Sequence, residues 1–176
     1  GNILNSPRSD LQNRLFQNDG RRFIDVTETA KVGNTGYAMG AVSADYNGDG
    51  FPDLYITNLG SNVLYKNNGD RTFTDATKMA NVESHLLSTS AAFGDLDLDG
   101  DLDLYVCNYV EYELDKDVPC YFGRMRIYCG PNQYHGISDI LYRNNGDGTF
   151  TDTTKAAGVF EPTTRGLGVV LTDVNS

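Results

Sequence analysis

Short apolar runs punctuated by Asn, Asp and Gly set the pattern of this chain. Residues 38–44 and 54–57, and again 90–93 and 102–106, have the length and the alternation of strands, and each pair flanks an Asp-rich loop. Leu64 and Tyr65 are separated from the alternating run 73–77 by Asn67-Asn68-Gly69, a hairpin signal. Strands joined by tight turns are therefore expected along most of the length, with little helix.

Two anchors recur when the chain is compared with itself. The first is Leu15-Phe-Gln-Asn-Asp-Gly-Arg-Arg-Phe-Ile-Asp-Val-Thr27, then Leu64-Tyr-Lys-Asn-Asn-Gly-Asp-Arg-Thr-Phe-Thr-Asp-Ala-Thr77, then Leu141-Tyr-Arg-Asn-Asn-Gly-Asp-Gly-Thr-Phe-Thr-Asp-Thr-Thr154. The second is Asp45-Tyr-Asn-Gly-Asp-Gly-Phe-Pro-Asp-Leu-Tyr55, then Asp95-Leu-Asp-Leu-Asp-Gly-Asp-Leu-Asp-Leu-Tyr105, then Asp173-Val-Asn175. From first anchor to second the spacing is 30, 31 and 32 residues, but from second to first it is 19 in one repeat and 46 in the other. An insertion at about residues 107–138 accounts for the difference.

Four strands in about 50 residues is the period of a propeller blade. The expected fold is thus all-β, a partial β-propeller of four-stranded blades: two strands, two full blades and a last single strand, eleven in all. Residues 1–12 read as a leader or linker and 13–176 as the propeller. A β-sandwich could hold as many strands, but it has no reason to repeat a loop and a hairpin in register.

Charge narrows the function. A formal net charge of −10 argues against nucleic acid and against an anionic membrane surface, and no apolar run is long enough to span a bilayer. It points to cations. The loops place oxygen-bearing side chains at positions 1, 3, 5 and 9: Asp45, Asn47, Asp49 and Asp53 in one, Asp95, Asp97, Asp99 and Asp103 in the other. Calcium takes six to eight such hard oxygens, and the carbonyls of Phe51 and Asp101 at position 7 would add to them. Gly50 and Gly100 permit the sharp turn. Asp173 and Asn175 open a third loop of the same kind. An EF-hand begins similarly but requires a Glu at position 12, where Ile56 and Val106 stand, and helical flanks. Magnesium, which keeps its waters and wants stricter geometry, fits less well, and a merely solvated Asp/Gly turn would not explain the constant spacing.

The Asp loops resemble the FG-GAP/VCBS repeats of integrin α-subunit-type propellers, and the Leu-Tyr-Arg-Asn-Asn-Gly-Asp-Gly-Thr-Phe-Thr-Asp element at 141–152 is similar to the bacterial and cartilage acidic protein (ASPIC/UnbV) branch of that group. The resemblance runs from Asn13 onward. It implies a seven-bladed extracellular propeller with calcium in the loops between the first two strands of a blade. Seven blades need about twice this length, so further repeats or neighbouring subunits would complete the propeller.

The three cysteines, Cys107, Cys120 and Cys129, lie in or beside the insertion. In an exported protein Cys120 with Cys129 makes a short staple, leaving Cys107 over or pairing with either of them or with a partner. A zinc site of these three with His135 is the rival, although the spacing matches no compact knuckle. The insertion also holds five of the eleven tyrosines. Tyr121, Arg124, Tyr128, Tyr134 and His135 are its candidate ligand-binding residues, for protein or for carbohydrate outside the cell; packing of the loop on its own blade is the alternative. No nucleophile elbow or phosphate-cradling loop is present. The expectation is a secreted or cell-surface calcium-binding module for adhesion, protein interaction or assembly, without catalysis; a lectin-like or lyase-like propeller acting on polysaccharide is the alternative.

Overall fold

In the computed structural model, which describes residues 12–113 and 119–173, the chain forms consecutive antiparallel meanders. The elements are β1 (Phe16–Asn18), β2 (Phe23–Asp25), a one-turn helix α1 (Thr27–Ala30), β3 (Tyr37–Ala44), β4 (Asp53–Leu59), β5 (Val63–Asn67), β6 (Phe73–Asp75), β7 (Ser88–Gly94), β8 (Asp103–Asn108), β9 (Cys120–Phe122), β10 (Met125–Ile127), β11 (Ile140–Asn144) and β12 (Phe150–Asp152). The sheet orders are β1-β2, β3-β4-β5-β6 and β7-β8-β11-β12, so the second and third sheets are complete four-stranded blades. Their registers repeat: Ala38 faces Asn58 as Ser88 faces Asn108, with an irregularity one step later in both.

The alternation along each strand produces the stacking of the blades. In the first complete blade Leu54, Ile56, Val63, Tyr65 and Phe73 pack with Leu15, Val26, Ala30 and Val32 of the preceding unit. Tyr55, Leu64 and Ala76, one residue out of phase, pack with Leu104, Val106, Tyr142 and Phe150 of the following blade. The β3-β4-β5-β6 sheet thus buries both faces, one against each neighbour, as a blade set around a common axis must. The inner strands β3 and β7 lie side by side, and the amides of Gly60 and Asn62 donate to the carbonyls of Leu86 and Ser84, 3.1 Å in each case.

A polar brace closes the three hairpins β1-β2, β5-β6 and β11-β12. In β2, β6 and β12 the final Asp (Asp25, Asp75, Asp152) accepts from both the amide and the hydroxyl of the Thr two residues on. That hydroxyl in turn accepts the amide of Leu15, Leu64 or Leu141, at 2.9, 2.9 and 3.0 Å. Thr27, Thr77 and Thr154 are buried, and Thr77 satisfies the amide of Leu64, itself fully buried, whereas Leu15 and Leu141 are half-buried.

Two features depart from expectation. The last single strand does not form a ladder: Gly166 hydrogen-bonds through its amide to the Asn108 carbonyl (2.8 Å), and Leu171 packs over Gly94, so the segment lies along the inner edge where a next first strand belongs. Among the described residues no second strand stands beside it. The insertion, in turn, contains a hairpin of its own, β9-β10, closed by a disulfide between Cys120 and Cys129. That bond removes two of the four ligands of the zinc alternative, and Cys107 is a buried free thiol. Residues 1–11 of the expected leader, and Asn175 of the third loop, fall outside the described residues.

Candidate metal centre

The two complete Asp loops join β3 to β4 and β7 to β8, the first two strands of each blade. Both are folded by their own carboxylates. Asp45 accepts the amides of Asp49 (3.1 Å) and Gly50 (2.8 Å); Asp95 accepts those of Asp99 (3.2 Å) and Gly100 (3.1 Å). At position 5, Asp49 accepts the Phe51 amide and Asp99 the Asp101 amide. Gly50 (φ 88°) and Gly100 (φ 99°) take the left-handed backbone expected of them, and so do the residues at position 4, Gly48 (φ 68°) and Leu98 (φ 62°).

The carboxylate at position 9 ties the loop to the blade. Asp53, fully buried, accepts the amides of Asn67 (2.7 Å) and Tyr46 (3.2 Å); Asp103 accepts those of Asn144 (2.9 Å) and Leu96 (3.0 Å). Burial pushes the Asp53 carboxyl above its ordinary pKa, and the charges of Asp49 and Asp45 push the same way, against the pull of those two amides. At Asp49 burial also opposes ionisation, but the Phe51 amide and the Lys66 ammonium outweigh it and hold the pKa low. Asp99 is held low chiefly by the Asp101 amide, then by Arg143.

The donor set fits a hard divalent cation. One carboxylate oxygen from each of Asp95, Asp97 and Asp99 lies within 4.8 Å of the others, and the side chains at positions 1, 3, 5 and 9 of both loops offer oxygen, with no sulfur or imidazole. A carboxyl raised chiefly by burial, with its neighbours' negative charge adding to the effect, is also what a cation relieves. In the first loop Asn47 replaces the third carboxylate; its Oδ1 accepts the Asp49 amide (3.0 Å), and its buried Nδ2 has no partner. Asp173 is exposed, and its loop is not described further.

Two cations at this site went unnoticed in the sequence. Lys66 Nζ lies 3.2 Å from Asp49 Oδ2, while Arg143 Nη2 lies 2.6 Å from Asp97 Oδ2 and 3.1 Å from Asp99 Oδ2. Both follow the Leu-Tyr pair of the first anchor, a shared position that could have revealed them.

The insertion does not gather its candidates into one site. Tyr121 and Arg124 lie on the exposed β9-β10 hairpin, and Tyr128, just after it, is wholly exposed. Tyr134 packs edge-on against Tyr112, ring centroids 5.4 Å apart, and its carbonyl accepts from Arg165 Nη2 (3.0 Å). The carbonyl of exposed His135 accepts the Glu111 amide. Elsewhere, a cleft of about 380 Å³ is lined by Ser61, Asp75, Lys78, Glu83, Ser84 and His85 among others. There His85 Nδ1 is 2.9 Å from Ser61 Oγ, but both are exposed and, among the described residues, no carboxylate hydrogen-bonds the ring. No helix among the described residues is long and apolar enough to cross a membrane.

Comparison with known proteins gives one family. The family model of the FG-GAP-like repeat matches the chain twice, at residues 3–56 and 45–106, so that the two matches overlap across the first Asp loop and together take in both complete loops. The third hairpin and the insertion lie beyond the matched span. No curated protein matches the chain.

Proposed function

Because the chain belongs to the FG-GAP-like repeat family, we propose that it is a calcium-binding β-propeller module that works outside the cell in adhesion, protein interaction or structural assembly, without chemistry of its own. The observation that carries this reading is the convergence of the Asp95, Asp97 and Asp99 carboxylate oxygens within 4.8 Å of one another on a loop fastened at both ends by strands. Asp103 and the Asp101 carbonyl complete that set; Asp45, Asn47, Asp49, Asp53 and the Phe51 carbonyl make up the other. Bound calcium would neutralise these carboxylates and cross-brace the loop. The chain's own part is to hold the carboxylates in place, through the loop amides at positions 5, 6 and 7 and through the blade amides of Asn67 and Asn144.

The Cys120–Cys129 disulfide supports an oxidising, extracellular setting. Equilibrium dialysis of the chain against radioactive calcium tests the proposal. Two ions should bind, half-saturating at roughly 0.1 to 1 mM, the range of extracellular modules, and Asp97→Asn with Asp99→Asn should leave one. Absence of binding at 10 mM calcium would overturn it.

A second reading, a carbohydrate-binding propeller, is favoured by the disulfide-closed hairpin and the full exposure of the adjacent Tyr128 ring, since an unpacked aromatic face can stack on a sugar. Its mark would be retardation of the chain in gels containing an acidic polysaccharide, relieved by Tyr128→Ala.

A further inference from the structure

The second Asp loop is both the more acidic and the more heavily paired. It carries Asp97 where the first loop carries Asn47, and it faces an arginine that reaches two carboxylates where the first faces a lysine that reaches one. The two cations are equivalent by the repeat: Lys66 on β5 and Arg143 on β11 each stand two residues after the Leu of the Leu-Tyr pair. The fold therefore delivers a positive charge to the same spot over both loops.

Two of the three carboxylates that converge in the second loop, Asp97 and Asp99, are those that Arg143 holds. About half of the arginine side chain remains exposed, so it can swing into water without leaving a cavity. A divalent ion drawing on the same oxygens would have to share them with a guanidinium in contact, against mutual repulsion, or replace it.

We propose that Arg143 is an internal counter-cation of the second loop and that a divalent ion enters there in exchange for its guanidinium. The inference rests on the calcium reading given above. Lys66 plays the same part more weakly over the first loop, where a single contact of 3.2 Å must be given up. The affinity of the second loop is then lower than its carboxylate count implies, because each binding event first breaks two ion pairs. In the calcium-free protein the same pairs keep the loop's like charges from repelling one another.

The test compares the wild-type chain with Arg143→Gln and Arg143→Lys, in EDTA and across a calcium titration followed by displacement of terbium luminescence. Exchange predicts that Arg143→Gln binds calcium at the second loop roughly 3- to 10-fold more tightly, as expected from losing partly exposed ion pairs. It also predicts that the variant melts below wild type in EDTA but level with it at saturating calcium, with Arg143→Lys between the two. Unchanged or weaker calcium binding by Arg143→Gln, or a melting deficit that persists at saturating calcium, would show that the arginine braces the filled loop and would overturn the exchange alone. If neither wild type nor variant bound calcium, the calcium reading would fall and the exchange with it.

Discussion

Gly48 and Leu98 occupy the same place in the two Asp loops, and both have left-handed backbone, φ 68° and 62°. For leucine that conformation costs about 1 to 2 kcal/mol, and the side chain recovers nothing, being 88% exposed. Leu98→Gly should therefore stabilise the protein by about 0.5 to 1 kcal/mol after the added freedom of the unfolded chain is allowed for, seen as a higher urea midpoint at unchanged slope; a lower midpoint would contradict this. Asn58 shows the reverse case. Its buried Oδ1 has no partner, whereas the equivalent Asn108 Oδ1 accepts the Ser88 hydroxyl at 2.7 Å, and at the matching position the first blade has Ala38. Ala38→Ser should restore the bond and add about 1 kcal/mol to the unfolding free energy. Neither feature is legible in one repeat taken alone; each emerges from setting one repeat beside the other. Cys107 is simpler. Burial, with the charge of Asp139 nearby, pushes its thiol up to about 11 from an ordinary 9.0. A pKa raised by folding contributes stability that is fully present below the ordinary value and is lost as pH rises towards about 11. Iodoacetamide at pH 8 should accordingly leave Cys107 of the native protein unlabelled and modify it fully in denaturant; prompt native labelling would count against its burial.

The hairpin brace belongs to the scale of elements. Thr77 links Asp75 to the Leu64 amide inside the blade, and Thr154 does the same between Asp152 and Leu141. Thr77→Ala strands the Leu64 amide, a fully buried residue, and should cost about 1 to 3 kcal/mol, measured by denaturant unfolding; Thr77→Ser, which keeps the hydroxyl, should recover most of it. If both variants lost the same amount, the methyl group and not the hydrogen bond would be responsible. The hairpins and Asp loops were legible because their signals are local: Asn-Asn-Gly turns, alternation over a few residues, and Gly where the backbone must turn. Boundaries moved little, with 38–44 becoming Tyr37–Ala44 and 102–106 becoming Asp103–Asn108. What stayed hidden depends on distance along the chain. Arg143 meets Asp99 across 44 residues, bridging the insertion, and no local pattern announces that pair. The β9-β10 hairpin was hidden differently: Tyr121, Phe122, Met125 and Ile127 are all exposed, so no buried face imposes an alternation to read.

At the scale of the whole molecule the repeat determines the architecture. The first complete blade offers one face to the unit before it and one to the blade after, and both complete Asp loops follow the first strand of a blade, so the two lie on the same side of the propeller. That arrangement concentrates negative charge, which Lys66 and Arg143 only partly offset. On the proposed calcium reading, stability depends on the cation: ions that bind only the folded loops would add to the unfolding free energy through mass action. With two loops of roughly 0.1 to 1 mM affinity, 10 mM calcium should add about 3 to 5 kcal/mol, or about 10 °C for a chain of this size. The most direct measurement is calorimetric melting of the wild-type chain in 10 mM calcium and in EDTA. Two ion-loaded loops predict a transition about 10 °C higher in calcium, with a smaller gain in magnesium; identical melting temperatures in calcium and in EDTA would contradict a calcium-binding propeller.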